Sequence, residues 1–318
     1  MKPDLKDLML LRELEADARA GLSELGHRAR LSKGAVAQRV SRLEKAGLIQ
    51  GYYAFIDASA LGYTSVRAYL KFSGSSPKIE RSILGMLAAD PRVWWLGKIQ
   101  GAWDLGFVMW VRSLAEFREF WLSFAGEYRR FIGKYQISPY LKFRVYPLDY
   151  LVTTEHMLRR KCAIAGEGKE TEIDETDRKI LRALSSNARA PLVEIAKKCG
   201  VSPVVVKYRV SQLQKKGVIK GFRAAVDTPA LGYSLYKVDF SIDDVAELAG
   251  LRSFLEGFPN LVYMDETVGI DLEVEFHLQN QMELEELLGK VKARFHSAIK
   301  EYDYLVYSEV LKYSRFPG

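Results

Sequence analysis

The chain of 318 residues is poor in cysteine and histidine, with two of the former and four of the latter. Cys162 and Cys199 lie far apart, without a histidine or cysteine at ligand spacing, so neither a disulfide framework nor a zinc site is expected. No apolar run reaches the roughly 20 residues that span a bilayer, and the start, Met1-Lys2-Pro3-Asp4, lacks the apolar core of a signal peptide. These absences predict a cytoplasmic protein with no membrane contact, no metal and no cofactor.

Length and charge limit the class of protein further. The chain is long enough for more than one domain, and an apolar share of 48% is typical of folded proteins. The net charge of +7 suits a polyanionic partner. Net charge alone indicates only nonspecific attraction, so the position of the basic residues decides whether they form a binding face.

The chain contains an internal repeat. Residues 4–63 align with 174–233 without a gap, at a constant offset that places Asp4 on Asp174 and Tyr63 on Tyr233. Beyond Tyr63 the identity thins, and the pairs that still correspond once small deletions are allowed are Pro91/Pro259, Gly101/Gly269 and Asp104/Asp271. The whole chain is therefore predicted to be a duplication of one module.

The first sixty residues of each copy have the apolar spacing of three short helices. The second helix is predicted over about 21–28 and 191–198, with Pro191 at its first position. Gly200 suits the tight turn that follows, and because Arg30 stands in its place in copy one, that turn is expected to differ. The third helix is predicted over 32–46 and 202–216, with one apolar stripe facing the core.

The outward face of the third helix is basic, and a helix of this kind fits the major groove of B-form DNA. From Lys197 through Arg223 there are eight basic residues and no acidic one. Such a run in a helix-turn-helix predicts contact with phosphates and base edges of double-stranded DNA. The candidate DNA-binding residues are Ser32, Lys33, Gln38, Arg39, Arg42, Ser202, Lys207, Tyr208, Arg209, Gln212 and Lys215.

After each head the pattern changes to strands and helices in the order βαββαβ, which predicts a ferredoxin-like sandwich with helices on one face of its sheet. The fold class is therefore α+β, with two copies of a winged helix-turn-helix head and a ferredoxin-like domain. The open face of the first sheet is rich in aromatic residues, which favours burial in an interface. The predicted boundaries are 1–55 and 56–152 for copy one, 153–172 for a polar linker, and 173–225 and 226–318 for copy two.

The heads and the segments around them resemble the Lrp/AsnC family, the feast/famine regulators. The resemblance covers nearly the whole chain and is more specific in copy two, where it rests on 173–181, Asn187-Ala188-Arg189, Val201-Ser202, Arg209-Val210 and 216–222. It implies a transcriptional regulator whose regulation-of-amino-acid-metabolism (RAM) domains pair through their sheets. Fusion of two modules then implies a covalent pseudo-dimer with two unlike heads, and further pairing of chains into a homo-oligomer is expected.

The resemblance also implies a small-molecule effector, such as an amino acid, near the hairpin between the second and third strands of each RAM-type domain. A glycine and an aspartate recur there in the family. The matching residues of this sequence are Gly101, Trp103 and Asp104 in copy one and Gly269 and Asp271 in copy two. The alternative is that the glycines only form plain turns.

Two other functions remain open from the sequence. Siroheme decarboxylases resemble the same two-part module, but they would be expected to carry a His-Asn-Tyr stretch in the second strand, where this chain has 93–96 and 261–264 without histidine. His27, His156, His277 and His296 have no spacing for a metal or a catalytic triad, so an enzyme is not expected. The third possibility is a ligand-sensing or assembly protein whose heads no longer bind DNA.

Overall fold

Both copies of the repeat form the predicted order of elements in a computed structural model that describes residues 2–152 and 162–317. His156 lies outside these residues. Copy one consists of α1 (Leu5–Ala16), α2 (Leu22–Ala29), α3 (Lys33–Lys45), β1 (Ile49–Ile56), β2 (Thr64–Phe72), α4 (Pro77–Ala89), β3 (Val93–Gly101), β4 (Leu105–Val111), α5 (Leu114–Tyr128) and β5 (Ile132–Val145). The connecting segment forms β6 (Ala163–Ala165). Copy two consists of α6 (Glu175–Ser186), α7 (Leu192–Cys199), α8 (Pro203–Lys215), β7 (Ile219–Val226), β8 (Ser234–Ile242), α9 (Leu248–Glu256), β9 (Leu261–Thr267), β10 (Ile270–Leu278), α10 (Gln281–Phe295) and β11 (Ile299–Tyr313). The α+β fold class is confirmed.

The same caps start the helices of both heads. Asp4 and Asp174 cap α1 and α6 in reciprocal capping boxes, which satisfy backbone N–H groups that have no partner within the helix. Ser32 and Ser202 cap the third helices α3 and α8. Pro191 occupies the cap position of α7 rather than its first helical position.

The turn after the second helix is the same in both copies, contrary to the expectation from Arg30. Arg30 and Gly200 both adopt the left-handed conformation, with φ of 52° and 71°. Arg30 is the only non-glycine residue with positive φ among the described residues. The helix end requires this conformation to re-aim the chain into α3, so copy one keeps the turn at the cost of backbone strain.

Replacing Arg30 by glycine should therefore stabilise the protein. We expect the free energy of unfolding to rise by about 1 kcal/mol, because glycine adopts positive φ without the Cβ clash. Urea unfolding of the full chain measures this, and Gly200→Ala is the matched variant, expected to lose a similar amount. A loss of stability in Arg30→Gly would contradict the strain.

The wing strands join the two heads. β1 pairs antiparallel with β7 around the opposed residues Tyr53 and Arg223, so each head completes its core with the other copy's strand. The backbone N–H of Ala18 donates to Phe222 O at 2.8 Å, and that of Ala188 donates to Tyr52 O at 2.9 Å. Ala54 and Ile56 of β1 accordingly belong to the hydrophobic core of the second head, and Ala224 of β7 belongs to that of the first.

The two ferredoxin-like sheets close into one ring in the order β2-β4-β3-β11-β8-β10-β9-β5, with β5 returning to β2. The two long strands carry the closure: β5 pairs first with β2 and then with β9, and β11 pairs first with β8 and then with β3. The helices α4 and α5, and α9 and α10, pack on the outer face of the ring. The inner faces of both sheets therefore face each other across a cavity.

Part of the predicted linker is bound to copy one. Ala163–Ala165 forms β6 on β5, and Ala165 is buried. The N–H groups of Gly166 and Gly168 donate to the Asp57 carboxylate and the Ser59 hydroxyl. The polar composition predicts an exposed connection, whereas these hydrogen bonds and the strand hold the described part of the segment in place. Residues 153–161 lie outside the described residues.

Candidate nucleic-acid interface

The third helices present the polar faces predicted from the sequence. In each head one apolar stripe is buried, formed by Val36, Val40 and Leu43 in α3 and by Val206, Val210 and Leu213 in α8. Of the candidate DNA-binding residues, the exposed ones are Ser32, Lys33, Gln38, Arg42, Ser202, Lys207, Tyr208 and Lys215, while Arg39, Arg209 and Gln212 are half-buried. Whether these side chains contact DNA stays a prediction.

One arginine in each third helix is tied to the cap of the first helix. Arg39 Nη1 lies 2.8 Å from carboxylate oxygens of Asp4 and Asp7, and Arg209 Nη1 lies 2.6 Å from Asp174 Oδ2. These ion pairs clamp the third helix on the first, so each arginine positions its helix. Arg42 also pairs with Asp7, at 2.7 Å.

The sequence shows no acidic residue within the basic run of copy two, but in the structure part of this run has acidic partners. Its partners come from distant parts of the chain: Asp174 for Arg209, Asp57 for Lys220, and Glu15 for Arg223. Within residues 2–152 and 162–317, no carboxylate lies within ion-pair distance of Lys207 or Lys215. These two lysines are the clearest phosphate-binding candidates of the second head.

The two third helices offer different chemistry at corresponding positions near their N-termini. Copy two exposes Val204, Val205 and Tyr208, with Val204 77% and Tyr208 62% accessible. Copy one has Gly34, Ala35 and Gln38 at the corresponding positions. Apolar groups suit thymine methyls and an amide suits adenine, so the two heads are suited to different base sequences.

The aspartates of the two hairpins accept hydrogen bonds from backbone N–H groups at equivalent positions. Asp104 Oδ2 accepts from the N–H of Phe72 at 2.8 Å, and Asp271 Oδ2 accepts from the N–H of Ile242 at 2.7 Å. Each carboxylate thus fastens its hairpin to the end of a neighbouring strand. Gly101 and Gly269 both have positive φ, and Trp103 is buried.

Asp104 also borders a cleft on the surface of copy one. The cleft has a volume of about 370 Å³, and its polar lining consists of Ser75, Glu80, Lys98 and Asp104. Lys71 Nζ donates to Asp104 Oδ1 at 2.7 Å, and Lys98 pairs with Glu309. Both signs of charge therefore meet around the cleft, as a zwitterionic ligand would require.

The described histidines are dispersed. His27 lies on α2, His296 follows α10, and His277 is buried on β10 with its Nδ1 2.8 Å from the Tyr150 hydroxyl. Burial lowers the pKa of His277 to about 3, so it is neutral at physiological pH. Over the described ranges, no group of three or more potential ligands is arranged for a metal ion, and no helix has the length and apolarity to cross a membrane.

Comparison with known proteins agrees with the two heads. Residues 3–50 and 173–220 both match the winged helix-turn-helix DNA-binding family. The HTH-type transcriptional regulator FL11 of Pyrococcus horikoshii is 34% identical over 120 residues, which cover 37% of this chain and 80% of that regulator. The HTH-type transcriptional regulator LrpA of the same organism is 47% identical over 66 residues, which cover 21% of this chain and 47% of that regulator.

These matches place both heads in the winged helix-turn-helix class of DNA-binding domains. The chain belongs to the Lrp/AsnC family, and the predicted resemblance is confirmed.

The full architecture also occurs in an enzyme. The crystal structure of the siroheme decarboxylase NirDL matches 98% of this chain and 94% of its own, with a TM-score of 0.67 and 15% sequence identity. A likeness at this identity concerns the fold alone. The prediction that the chain is not an enzyme is nevertheless wrong, because a decarboxylase has the same architecture. The architecture favours neither a regulator nor an enzyme.

Sequence reasoning missed the residues that join the modules. Glu15 and Arg223 form a buried ion pair between α1 and β7, and Arg67 of β2 pairs with Glu273 of β10. A signal for the second pair was present, since Glu273 and Glu275 alternate with apolar residues along one strand. Carboxylates at alternate positions indicate a polar inner face.

Proposed function

We propose that the chain is a covalent pseudo-dimer whose two unlike heads read one asymmetric operator in double-stranded DNA. The observation that carries this proposal is a reciprocal pair of hydrogen bonds, in which equivalent arginines each donate to a backbone carbonyl of the other head. Arg19 Nε donates to Ala188 O at 2.7 Å, and Arg189 Nη1 donates to Ala18 O at 2.8 Å. A contact in which equivalent residues exchange partners is the signature of a two-fold interface.

The two-fold relation extends from the heads into the RAM-type domains. β3 pairs with β11 just as β9 pairs with β5, and these strands are equivalent in the two modules. Heads related in this way present their third helices as a pair, which suits two neighbouring half-sites on a duplex. Gln38 and Tyr208 occupy equivalent positions but have different side chains, so the two half-sites should differ in base sequence.

A small effector such as an amino acid is the second part of the proposal, with Gly101, Trp103, Asp104, Gly269 and Asp271 around the hairpins. The support is the cleft beside Asp104, where charges of both signs meet. Gly101 also pairs with Leu305 of β11, so this hairpin lies where the strand pair β3–β11 joins the two modules. A ligand there would favour one arrangement of the two modules and so change DNA affinity.

Association of whole chains into a homo-oligomer is proposed as well. Large apolar side chains remain accessible on α5, where Leu114 is 56% and Leu122 is 53% exposed. A second chain would cover such residues. Light scattering of the purified protein measures the number of chains.

Selection of bound fragments from random duplexes by the full chain tests the reading of DNA. We expect one asymmetric motif, with Gln38→Ala changing base preference in one half-site and Tyr208→Ala in the other, each by roughly 10- to 100-fold. Gln279→Ala, an exposed glutamine outside the heads, is the matched control.

A palindromic motif, or loss in the same half-site with both variants, would contradict the assignment of unlike heads. If the full chain retains no more of the random duplexes than a charge-matched control protein does, the heads do not bind DNA.

A further inference from the structure

The inside of the ring contains a buried network of charges. Arg67 donates two hydrogen bonds to the Glu273 carboxylate, with its Nη1 2.5 Å from Oε2 and its Nη2 2.8 Å from Oε1. Lys237 Nζ lies 2.8 Å from Glu273 Oε2 and also pairs with Asp239. Glu273 therefore has two cationic partners. Burial alone would raise its pKa, but Arg67 and Lys237 outweigh burial and lower it.

Two further carboxylates in the ring have no cation of their own. Glu275 accepts a hydrogen bond from the Tyr307 hydroxyl at 2.9 Å, and it has no other side-chain partner among the described residues. No hydrogen-bond donor of the described chain reaches the carboxylate of Asp265, which is 5% exposed. Burial raises the pKa of Asp265 well above its usual value, and it raises the pKa of Glu275 to about 7.

Both carboxylates line a cavity of about 220 Å³ between the two sheets. The other walls are mostly aromatic, and they are formed by Tyr53, Phe55, Trp94, Trp95, Tyr140, Phe143, Tyr263, Tyr307 and Tyr313. Two cationic residues, Arg67 and Arg223, also line the cavity, but they are committed to Glu273 and Glu15. The cavity thus combines a surplus of carboxylate with the faces of aromatic rings.

The aromatic wall already receives a cation at its edge. In the adjoining cavity the guanidinium carbon of Arg315 lies 4.2 Å from the ring centre of Tyr53 and 5.2 Å from that of Tyr313. The electron-rich faces of such rings attract positive charge. Trp94 lines both cavities, and its buried Nε1 has no acceptor in the described chain.

The carboxylates come from copy two alone. At the positions equivalent to Asp265, Glu273 and Glu275, counted from the paired hairpin residues Gly101/Gly269 and Asp104/Asp271, copy one has Gly97, Gly106 and Val108. Gly97 leaves room for the ring of Trp95, and Gly106 leaves room for the ring of Tyr69. The cavity is therefore a single, asymmetric site made by the two unlike copies.

We propose that this cavity is a binding site for an organic cation, an amine with an apolar or aromatic body, held by Asp265 and Glu275 and in contact with the aromatic wall. The site is separate from the hairpins and from the third helices, so it does not rest on the proposed reading of DNA. A bound ammonium would supply the counter-charge that Asp265 and Glu275 lack.

Isothermal titration of the full chain with three isosteric probes tests the proposal. 2-Phenylethylamine is cationic, 2-phenylethanol is neutral and 3-phenylpropionate is anionic. We expect the amine to bind at least about tenfold more tightly than the alcohol, with no measurable binding of the carboxylate. Quenching of tryptophan fluorescence should accompany binding, because Trp94 and Trp95 line the cavity. Equal affinity for amine and alcohol, or no binding of the amine up to millimolar concentration, would overturn the proposal.

Variants locate the site. Asp265→Asn and Glu275→Gln should each weaken amine binding at least about tenfold, while the exposed Glu286→Gln should leave it unchanged. Thermal unfolding checks that each variant is folded, and two carboxylates provide a second variant if one fails. Amine binding that survives both substitutions contradicts the assignment of the cavity. Tight binding of an iron uroporphyrin with displacement of the amine would mean that an anionic macrocycle is the occupant instead.

Discussion

Replacing Glu273 by glutamine is expected to lower the free energy of unfolding by about 3–5 kcal/mol. The substitution removes the anion that pairs with Arg67 and Lys237, and it leaves Arg67 buried without a carboxylate while Lys237 keeps Asp239. A buried charge without its partner costs far more than an exposed pair contributes. Because Arg67 and Glu273 belong to different modules, the loss should appear in the unfolding of the whole chain, as measured by urea denaturation.

A double variant separates the lost charge pair from lost packing. Arg67→Met with Glu273→Leu removes both partners together and leaves Lys237 paired with Asp239. We expect this variant to be more stable than Glu273→Gln, because no unpaired charge remains. Glu286→Gln on the surface of α10 controls for loss of a glutamate and should change stability by less than about 0.5 kcal/mol. A Glu273→Gln variant as stable as this control would show that the network does not join the modules.

The second large effect concerns the free lysines of α8. Alanine at both Lys207 and Lys215 is expected to reduce operator affinity roughly 10- to 100-fold at moderate salt. It should also lower the slope of log affinity against log salt by about 2, because each phosphate contact releases about one counterion. Unfolding should be unaffected, since both side chains are exposed.

The matched control is alanine at Lys290 and Lys300, two exposed lysines outside the heads. This pair removes the same net charge and should leave the salt dependence unchanged. If both double variants weaken binding equally, the attraction is general and α8 is not the reading helix. Arg209→Ala is a poorer test, because it also removes the clamp to Asp174 and Asp177 and so disturbs the head itself.

The local structure of this protein could be predicted well from its sequence. The duplication, the three helices of each head and the βαββαβ order depend on side-chain periodicity and caps, which act over a few residues. Thr64–Phe72 and Val93–Gly101 form the first two strands of the predicted βαββαβ order. The exposed face of α8 was also readable, because its buried stripe of Val206, Val210 and Leu213 repeats at helical spacing.

The partners of the charged residues could not be predicted in this way. Arg223 was counted with the basic face, yet it lies buried on Glu15, which is 208 residues away in sequence. Its role is decided by the exchange of wing strands between the heads. Arg30 is a milder case, because residue preference favoured glycine in the left-handed turn, and the packing of α2 against α3 imposed the turn on arginine.

The sequence alone therefore determined which segments are helices and strands, that the module occurs twice, and which family it belongs to. Only the tertiary structure decided that the sheets close into a ring, that the heads exchange strands, and that Asp265 and Glu275 meet an aromatic wall from the other copy. The physical reason is the range of the interactions. Periodicity and caps are local, whereas strand pairing and buried charge pairs join residues that become neighbours only when the chain has folded.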